Sequence, residues 1–141
     1  MTMKSKQVLS IDQMKHLQEL RLDTSDASMC YCCFYGNIEK KWELEIYEDV
    51  INQKRDSSFW EIIPSYILQD ILDKLPKEIK TSTDTYWLTA SYGCDVWCIY
   101  YSMSVGFDYY KEFKSESLLD AAYEMLCCCI ENGYVKVGKE D

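Results

Sequence analysis

The chain has 141 residues, of which 28% are charged and 48% hydrophobic, the balance of a folded protein rather than a disordered one. This length predicts one domain over residues 1–141, with flexible ends at 1–9 and 138–141. No apolar run approaches the roughly 20 residues that a membrane-spanning helix needs. The opening residues MTMKSKQVLS contain no apolar signal region. We therefore expect a cytoplasmic protein that makes no contact with a membrane.

The net charge of −9 disfavours direct nucleic-acid binding, because affinity for phosphate groups comes mainly from Lys and Arg. The same charge allows one alternative, an acidic DNA mimic that occupies a DNA-binding protein. Solubility is the simpler explanation for an acidic surface.

Eight cysteines without a signal peptide predict free thiols in a reducing cytosol rather than disulfides. Their spacing does not suit a metal site. Cys30 and Cys32 share one face of a predicted strand while Cys33 points away, and residues 127–129 lie about 100° apart on a predicted helix. Of the remaining cysteines, only Cys94, in a predicted hairpin turn, could come close to Cys30 or Cys32 when the chain folds. We therefore predict no bound metal and no cofactor.

Three elements are predicted in the first part of the chain. Ser10 and Gln13 form a capping-box pattern that begins a first helix. The β-type run from Met29 to Tyr35 and the alternating segment from Trp42 to Glu48 predict a hairpin. Residues 49–58 are polar without a clear period and are expected to form a loop with some helical character. Three side chains of the second strand are expected to face the core: Trp42, Leu44 and Ile46.

Two further helices are predicted after residue 60. Ser65 is expected to cap a helix over 66–75. Ser115 is expected to cap a final helix that runs to Asn132 and ends at Gly133 in a left-handed conformation. The apolar arc of the final helix is wider than one sheet contact requires, so either the chain covers it on two sides or its second side meets another subunit. Residues 134–137 are expected to add a short edge strand.

Between these helices, the segment from Tyr86 to Met103 predicts a second hairpin that folds back at Gly93. The element order is then α-β-β-α-β-β-α. This order predicts the α+β class, with an antiparallel sheet of about four strands and helices packed on it.

Aromatic residues concentrate in the second hairpin and in the segment that follows it, 104–114. Both faces of strand 96–103 are apolar, so the final helix, a second subunit, a ligand or a partner must cover each of them. Aromatics on an exposed loop would indicate binding, whereas a continuing strand would pack its aromatics, among them Phe113, inward. Seven residues are the candidates for ligand or partner binding: Trp97, Tyr100, Tyr101, Phe107, Tyr109, Tyr110 and Lys111.

The sequence contains no complete catalytic constellation, and we predict no catalytic residues and no enzymatic activity. His16 is the single histidine, and it is expected to be exposed on the first helix. The five glycines fall at predicted element ends rather than in a phosphate-binding loop. A hydrolase that uses paired carboxylates remains an alternative, because the 24 acidic residues offer many pairs.

Two segments, IPSYILQDILDKLPKEI (63–79) and ESLLDAAYEMLCCCIENGYV (116–135), resemble short uncharacterised proteins of bacteriophages and mobile elements of gut bacteria. That family has no assigned activity, so the resemblance transfers no functional residues. It implies a context: small accessory phage proteins are often stoichiometric binders, and some of them counter host defences.

We therefore expect a small accessory protein in the host cytoplasm that acts by stoichiometric binding, as a homo-oligomer, on a host protein or a small ligand. Inhibition of a host defence protein is one form of this function. An alternative is a sponge that sequesters a nucleotide-type signal in an aromatic pocket, because aromatic rings stack on bases. Against the sponge, only Lys111 and Lys114 lie near enough in sequence to meet a phosphate.

Overall fold

The computed structural model describes residues 7–36, 38–103 and 109–138. Within them lie four helices and seven strands. The elements are α1 (Ile11–Glu19), β1 (Met29–Phe34), β2 (Glu43–Ile46), α2 (Tyr47–Gln53), β3 (Trp60–Ser65), α3 (Leu68–Lys74), β4 (Glu78–Lys80), β5 (Thr85–Gly93), β6 (Val96–Met103), β7 (Tyr109–Ser115) and α4 (Leu118–Glu131). The predicted α+β class is confirmed.

The strands form two antiparallel sheets, ordered β2-β1-β3 and β4-β5-β6-β7. The sequence predicts one sheet of about four strands, and the difference arises because its pattern does not indicate β3 and β4. The prediction that Ser65 caps a helix is wrong, because Ser65 is the last residue of β3. Its buried hydroxyl donates to the Leu9 carbonyl at 2.8 Å. At the start of α3 the Asp70 carboxylate accepts from the Ile67 N–H at 3.0 Å.

The hairpin of β5 and β6 is confirmed, with Gly93 paired to Val96. The turn residues are Cys94 and Asp95, which both have positive φ, +53° and +66°. A two-residue turn of this kind follows the right-handed twist of the strands that it joins. The chain therefore reverses one residue later than predicted.

Strand β2 differs most from its prediction. It ends at Ile46, and the helix α2 begins at the next residue. Leu44 and Ile46, both predicted to lie in the core, are 44% and 52% exposed. The three-stranded sheet has β2 at one edge and β3 at the other. The hydrophobic core and α1 pack on the side of β3, where Ile63 is buried, and leave Leu44 and Ile46 exposed.

The N-terminal segment packs into the domain earlier than predicted. Val8 pairs with Ile67, and the buried Leu9 donates its N–H to the Tyr66 carbonyl at 3.0 Å. Val8 and Leu9 are therefore packed against the domain, within the segment 1–9 that the sequence predicts to be flexible. At the other end, the Gly138 N–H donates to the Arg21 carbonyl at 3.0 Å. Residues 1–6 and 139–141 of the predicted ends lie outside the described residues.

The capping box of α1 is confirmed, because Ser10 and Gln13 exchange backbone-to-side-chain hydrogen bonds of 2.9 and 3.1 Å. Gln13 also joins α1 to α4, since its side-chain amide donates to the Asp120 carboxylate at 3.0 Å.

Helix α4 is central. It packs on β6 and β7 and also on α3, so the chain itself covers its wide apolar face. Ser117, rather than Ser115, caps it, and Gly133 at its end has the predicted positive φ, +79°. Residues 134–137 form bends and irregular chain instead of an edge strand. None of the described helices has the length and hydropathy to cross a membrane.

Candidate functional site

The register of the four-stranded sheet assigns each side chain to one of two faces. Residues opposite each other in antiparallel strands share a face. Leu88 pairs with Tyr101 on the side of α4, which we call the inner face. Thr89 pairs with Tyr100 on the opposite side, which we call the outer face. The same pairing extends to β7, where Tyr110 lies on the inner face and Tyr109 and Glu112 on the outer one.

The inner face belongs to the hydrophobic core. Ile99 and Tyr101 are fully buried among residues of α4 and α3. The Tyr101 hydroxyl donates to the Pro76 carbonyl at 2.8 Å and lies 3.9 Å from the Cys129 sulphur. Burial raises the pKa of Tyr101 well above its usual value. Tyr101 is therefore a core residue, without an exposed surface for a ligand.

The structure separates the seven predicted binding residues instead of bringing them into one pocket. Trp97, Tyr101 and Tyr110 share the inner face. Tyr100 and Tyr109 lie on the outer face. Lys111 is the extra residue of a bulge between β6 and β7, where its φ is +54°, and Phe107 lies outside the described residues. The physical reason is the two-residue period of a strand, which sends adjacent aromatics to opposite sides.

Tyr110 belongs to a separate tyrosine group at the end of the inner face. Its hydroxyl lies 3.2 Å from that of Tyr134, and its ring centroid is 5.8 Å from that of Tyr86. The hydrogen bond with Tyr134, with a smaller effect of burial, raises the pKa of Tyr110 to about 12. The ammonium of Lys111 lies 5.4 Å from the centre of the Tyr110 ring. These contacts join β5, β7 and the segment after α4.

The outer face displays three aromatic side chains on adjacent strands. Trp87 on β5 is 44% exposed and Tyr109 on β7 is 56% exposed. Tyr100 on β6 is half-buried, and its ring meets that of Tyr109 edge-on with centroids 6.0 Å apart. Trp87 is not among the seven residues predicted from the sequence. The pattern that could have indicated it is a tryptophan that shares a strand face with two polar residues, Thr89 and Ser91.

A polar floor lies between the aromatics of the outer face. Ser102 pairs with Trp87 on one side and with Tyr109 on the other. The Ser102 and Thr89 hydroxyls are 2.8 Å apart and hydrogen-bonded. Trp87 and Tyr109 thus rise from alternate strands, which lie about 10 Å apart in a sheet.

Charged residues lie on the same outer face as these aromatics. Glu78 pairs with Trp87 from β4, and Glu112 pairs with Tyr100 from β7. Each carboxylate has a lysine two residues further along its own strand, Lys80 and Lys114, with nitrogen–oxygen distances of 3.5 Å. Both lysines are largely exposed. Pairs of this kind contribute about 0–1 kcal/mol and rearrange readily.

The cysteines of the first sheet form a buried cluster. Cys30 and Cys32 share a face, as predicted, with sulphurs 3.6 Å apart beneath Val50 of α2. Burial is the main cause that raises the pKa of Cys32 to about 12, so this thiol stays protonated at neutral pH. Among the described residues no group of three or more His, Cys, Asp or Glu side chains is placed to hold a metal ion.

An ion pair lies beside this cysteine cluster. Arg55 donates to both carboxylate oxygens of Glu45, at 2.7 and 2.8 Å. The guanidinium also lies 4.4 Å from the centre of the Trp60 ring. The hydrogen bonds from Arg55 hold the pKa of the Glu45 carboxyl below its usual value.

The single histidine is exposed on α1, as predicted, and its imidazole lies 3.7 Å from Glu19.

Thiol labelling should separate exposed cysteines from core cysteines. In the folded protein at neutral pH, Cys94 in the hairpin turn is exposed and should react with an aromatic disulfide reagent within seconds to minutes. Cys30, Cys32 and Cys129 are buried, so they should react only when the protein opens. Mass spectrometry of quenched, digested samples measures each site. Equal labelling rates for Cys94 and Cys32 would contradict this assignment.

No family model, curated protein or solved structure matches this chain. The functional argument therefore rests on the chemistry of the outer face.

Proposed function

We propose that this protein is a stoichiometric binding protein whose contact surface is the outer face of the four-stranded sheet. One observation carries the proposal: Trp87, Tyr100 and Tyr109 stand together on three adjacent strands, on a face that no described helix or strand covers. Aromatic side chains supply much of the binding energy of protein interfaces. An antiparallel sheet without a binding role usually presents a polar outer face to water.

The resemblance to phage-encoded proteins supports a partner in the host cell, with inhibition of a host protein as the biological role. A homo-oligomer is less well supported, because α3 and the four-stranded sheet cover the wide face of α4 within one chain. A monomer that presents one aromatic surface is sufficient for stoichiometric binding.

A nucleotide-type ligand is the second candidate, since a base can stack between aromatic rings. The three aromatic side chains on the outer face favour this candidate. The net charge of −9 and the carboxylates of Glu78 and Glu112 on the outer face oppose it, because they repel phosphate groups. We therefore rank a protein partner first.

Selection from a random peptide library tests the proposal without knowledge of the partner. Selected peptides should bind the protein and should lose at least about tenfold in affinity when Trp87 and Tyr109 are both replaced by alanine. Tyr35→Ala is the matched control, because Tyr35 is also an exposed tyrosine but lies at the end of the three-stranded sheet. It should leave binding unchanged.

Circular dichroism of each variant confirms that it is folded before binding is compared. Peptides that bind the double variant as tightly as the unmodified protein would overturn the assignment of this surface. Loss of binding in Tyr35→Ala alone would place the contact on the other sheet and would also overturn it.

A further inference from the structure

We infer that Cys30 and Cys32 form a redox modification site, at which hydrogen peroxide converts the two thiols into one disulfide within strand β1. The site belongs to the three-stranded sheet, so it is separate from the outer face and does not depend on the proposed function. The inference rests on the contact between the two sulphurs, on the difference between their surroundings and on the short helix that covers them.

The two thiols are in direct contact on one face of β1. Their sulphurs lie 3.6 Å apart, and both side chains are buried beneath Val50 of α2. Residues i and i+2 of a strand have Cα atoms about 6.6–6.8 Å apart, which is the upper end of the range that a disulfide spans. The bond can therefore form without a change of strand register. At this separation it is strained, which makes it easy to reduce again.

The surroundings of the two sulphurs give them different roles. Burial raises the pKa of both thiols, to about 12 for Cys32. At Cys30 the hydrogen bond from Cys32 opposes this effect, and the charges of Glu45 and Arg55 act in opposite directions. At Cys32 the hydrogen bonds with Cys30 and Glu45 add to the effect of burial. Cys30 is therefore the nucleophile, and Cys32 is the resolving thiol.

The oxidation takes place in two steps. The Cys30 thiolate attacks one oxygen of hydrogen peroxide, the O–O bond breaks, and a sulfenic acid and hydroxide form. The hydroxide takes up the proton that Cys30 released and leaves as water. The Cys32 sulphur then attacks the sulfenic sulphur, so that the S–S bond forms and the sulfenic oxygen leaves with the Cys32 proton as a second water. Two thiols and one peroxide thus become one disulfide and two waters.

Helix α2 controls access to the two thiols. It has only seven residues, Tyr47–Gln53, and its N-cap residue, Ile46, has an apolar side chain. The pair of Arg55 with Glu45 connects the segment after this helix to β2. Short elements of this kind open locally without unfolding of the whole domain. Peroxide is small enough to enter through such an opening, so the reaction is slow, but the neighbouring thiol determines its product.

Peroxide treatment of the folded full chain, followed by thiol blocking, digestion and mass spectrometry, tests the inference. The peptide that contains Cys30 should carry a disulfide to Cys32 at an abundance at least about tenfold above that of its sulfinic and sulfonic acids. Cys33 in the same peptide should remain a free thiol. Incubation with reduced glutathione should restore both thiols, because the disulfide is strained.

Cys33→Ala is the matched control, because Cys33 is adjacent and buried but lies on the opposite face of β1. This variant should form the disulfide to the same extent as the unmodified protein. Cys32→Ala removes the resolving thiol, so the product at Cys30 should become a sulfenic acid that dimedone traps. Circular dichroism shows whether each variant is folded, and the measurement on the unmodified chain stands without either variant.

Sulfinic acid at Cys30 without the disulfide would overturn the inference, and so would a disulfide that uses Cys33 or that joins two chains. Full oxidation of the exposed Cys94 while Cys30 and Cys32 both stay unmodified, even after prolonged treatment of the folded protein, would overturn it as well.

Discussion

Replacing Tyr101 with alanine should lower the free energy of unfolding by about 3–5 kcal/mol. The Tyr101 side chain projects from β6 and is fully buried in the core that includes α4. Its truncation leaves a cavity in this core and also removes the hydrogen bond to the Pro76 carbonyl. A domain of this size is stable by about 5–15 kcal/mol, so the variant loses about a fifth of that stability or more. Urea unfolding followed by circular dichroism measures the change.

Two variants serve as controls for Tyr101. Tyr101→Phe keeps the ring and removes only the hydroxyl, so it should cost about 1 kcal/mol through the lost hydrogen bond. Tyr109→Ala changes a tyrosine that is 56% exposed on the outer face, and it should cost no more than about 1 kcal/mol. A Tyr101→Ala variant as stable as Tyr109→Ala would show that the sheet faces are assigned the wrong way round.

Leu9→Ala should destabilise the protein by about 2–5 kcal/mol, although Leu9 lies in a segment that the sequence predicts to be flexible. Its side chain is fully buried, and its carbonyl accepts hydrogen bonds from the hydroxyls of Tyr31 and Ser65 at 3.1 and 2.8 Å. The substitution leaves those backbone contacts and removes the apolar packing. The expected loss is therefore that of a core leucine.

Leu44→Ala makes the same chemical change at a position that the sequence predicts to be buried. Leu44 is 44% exposed on the edge strand β2, so this variant should lose no more than about 1 kcal/mol. Chemical denaturation of both variants gives the comparison directly. A larger loss for Leu44→Ala than for Leu9→Ala would reverse the assignment of these two residues.

Local patterns predicted the elements whose stability depends on near neighbours. The Ser10–Gln13 capping box, the hairpin of β5 and β6 and the left-handed end of α4 at Gly133 all form as expected. Each depends on contacts within a few residues or across one turn. The strands β3 and β4 were missed, because β3 contains a proline and β4 has only three residues, too few to show a period.

The candidate surface was predictable only in part. Alternation along β5 and β6 sorted their side chains into two sets, and Tyr100 and Tyr109 were among the predicted binding residues. The sequence could not show which set faces α4, so Tyr101 was grouped with them and Trp87 was omitted. The choice depends on which face the helix covers, and that is a contact between elements far apart in the chain.

By itself the sequence determined the α+β class, the capping box of the first helix and the alternation of side chains along β5 and β6, since these follow from local propensity and periodicity. The tertiary structure decided burial. It made Leu9 a core residue, left Leu44 at an uncovered sheet edge and placed Trp87 beside Tyr100 and Tyr109 on the outer face. The physical reason is that burial depends on which elements pack together, and packing brings together residues whose separation in sequence carries no periodic signal.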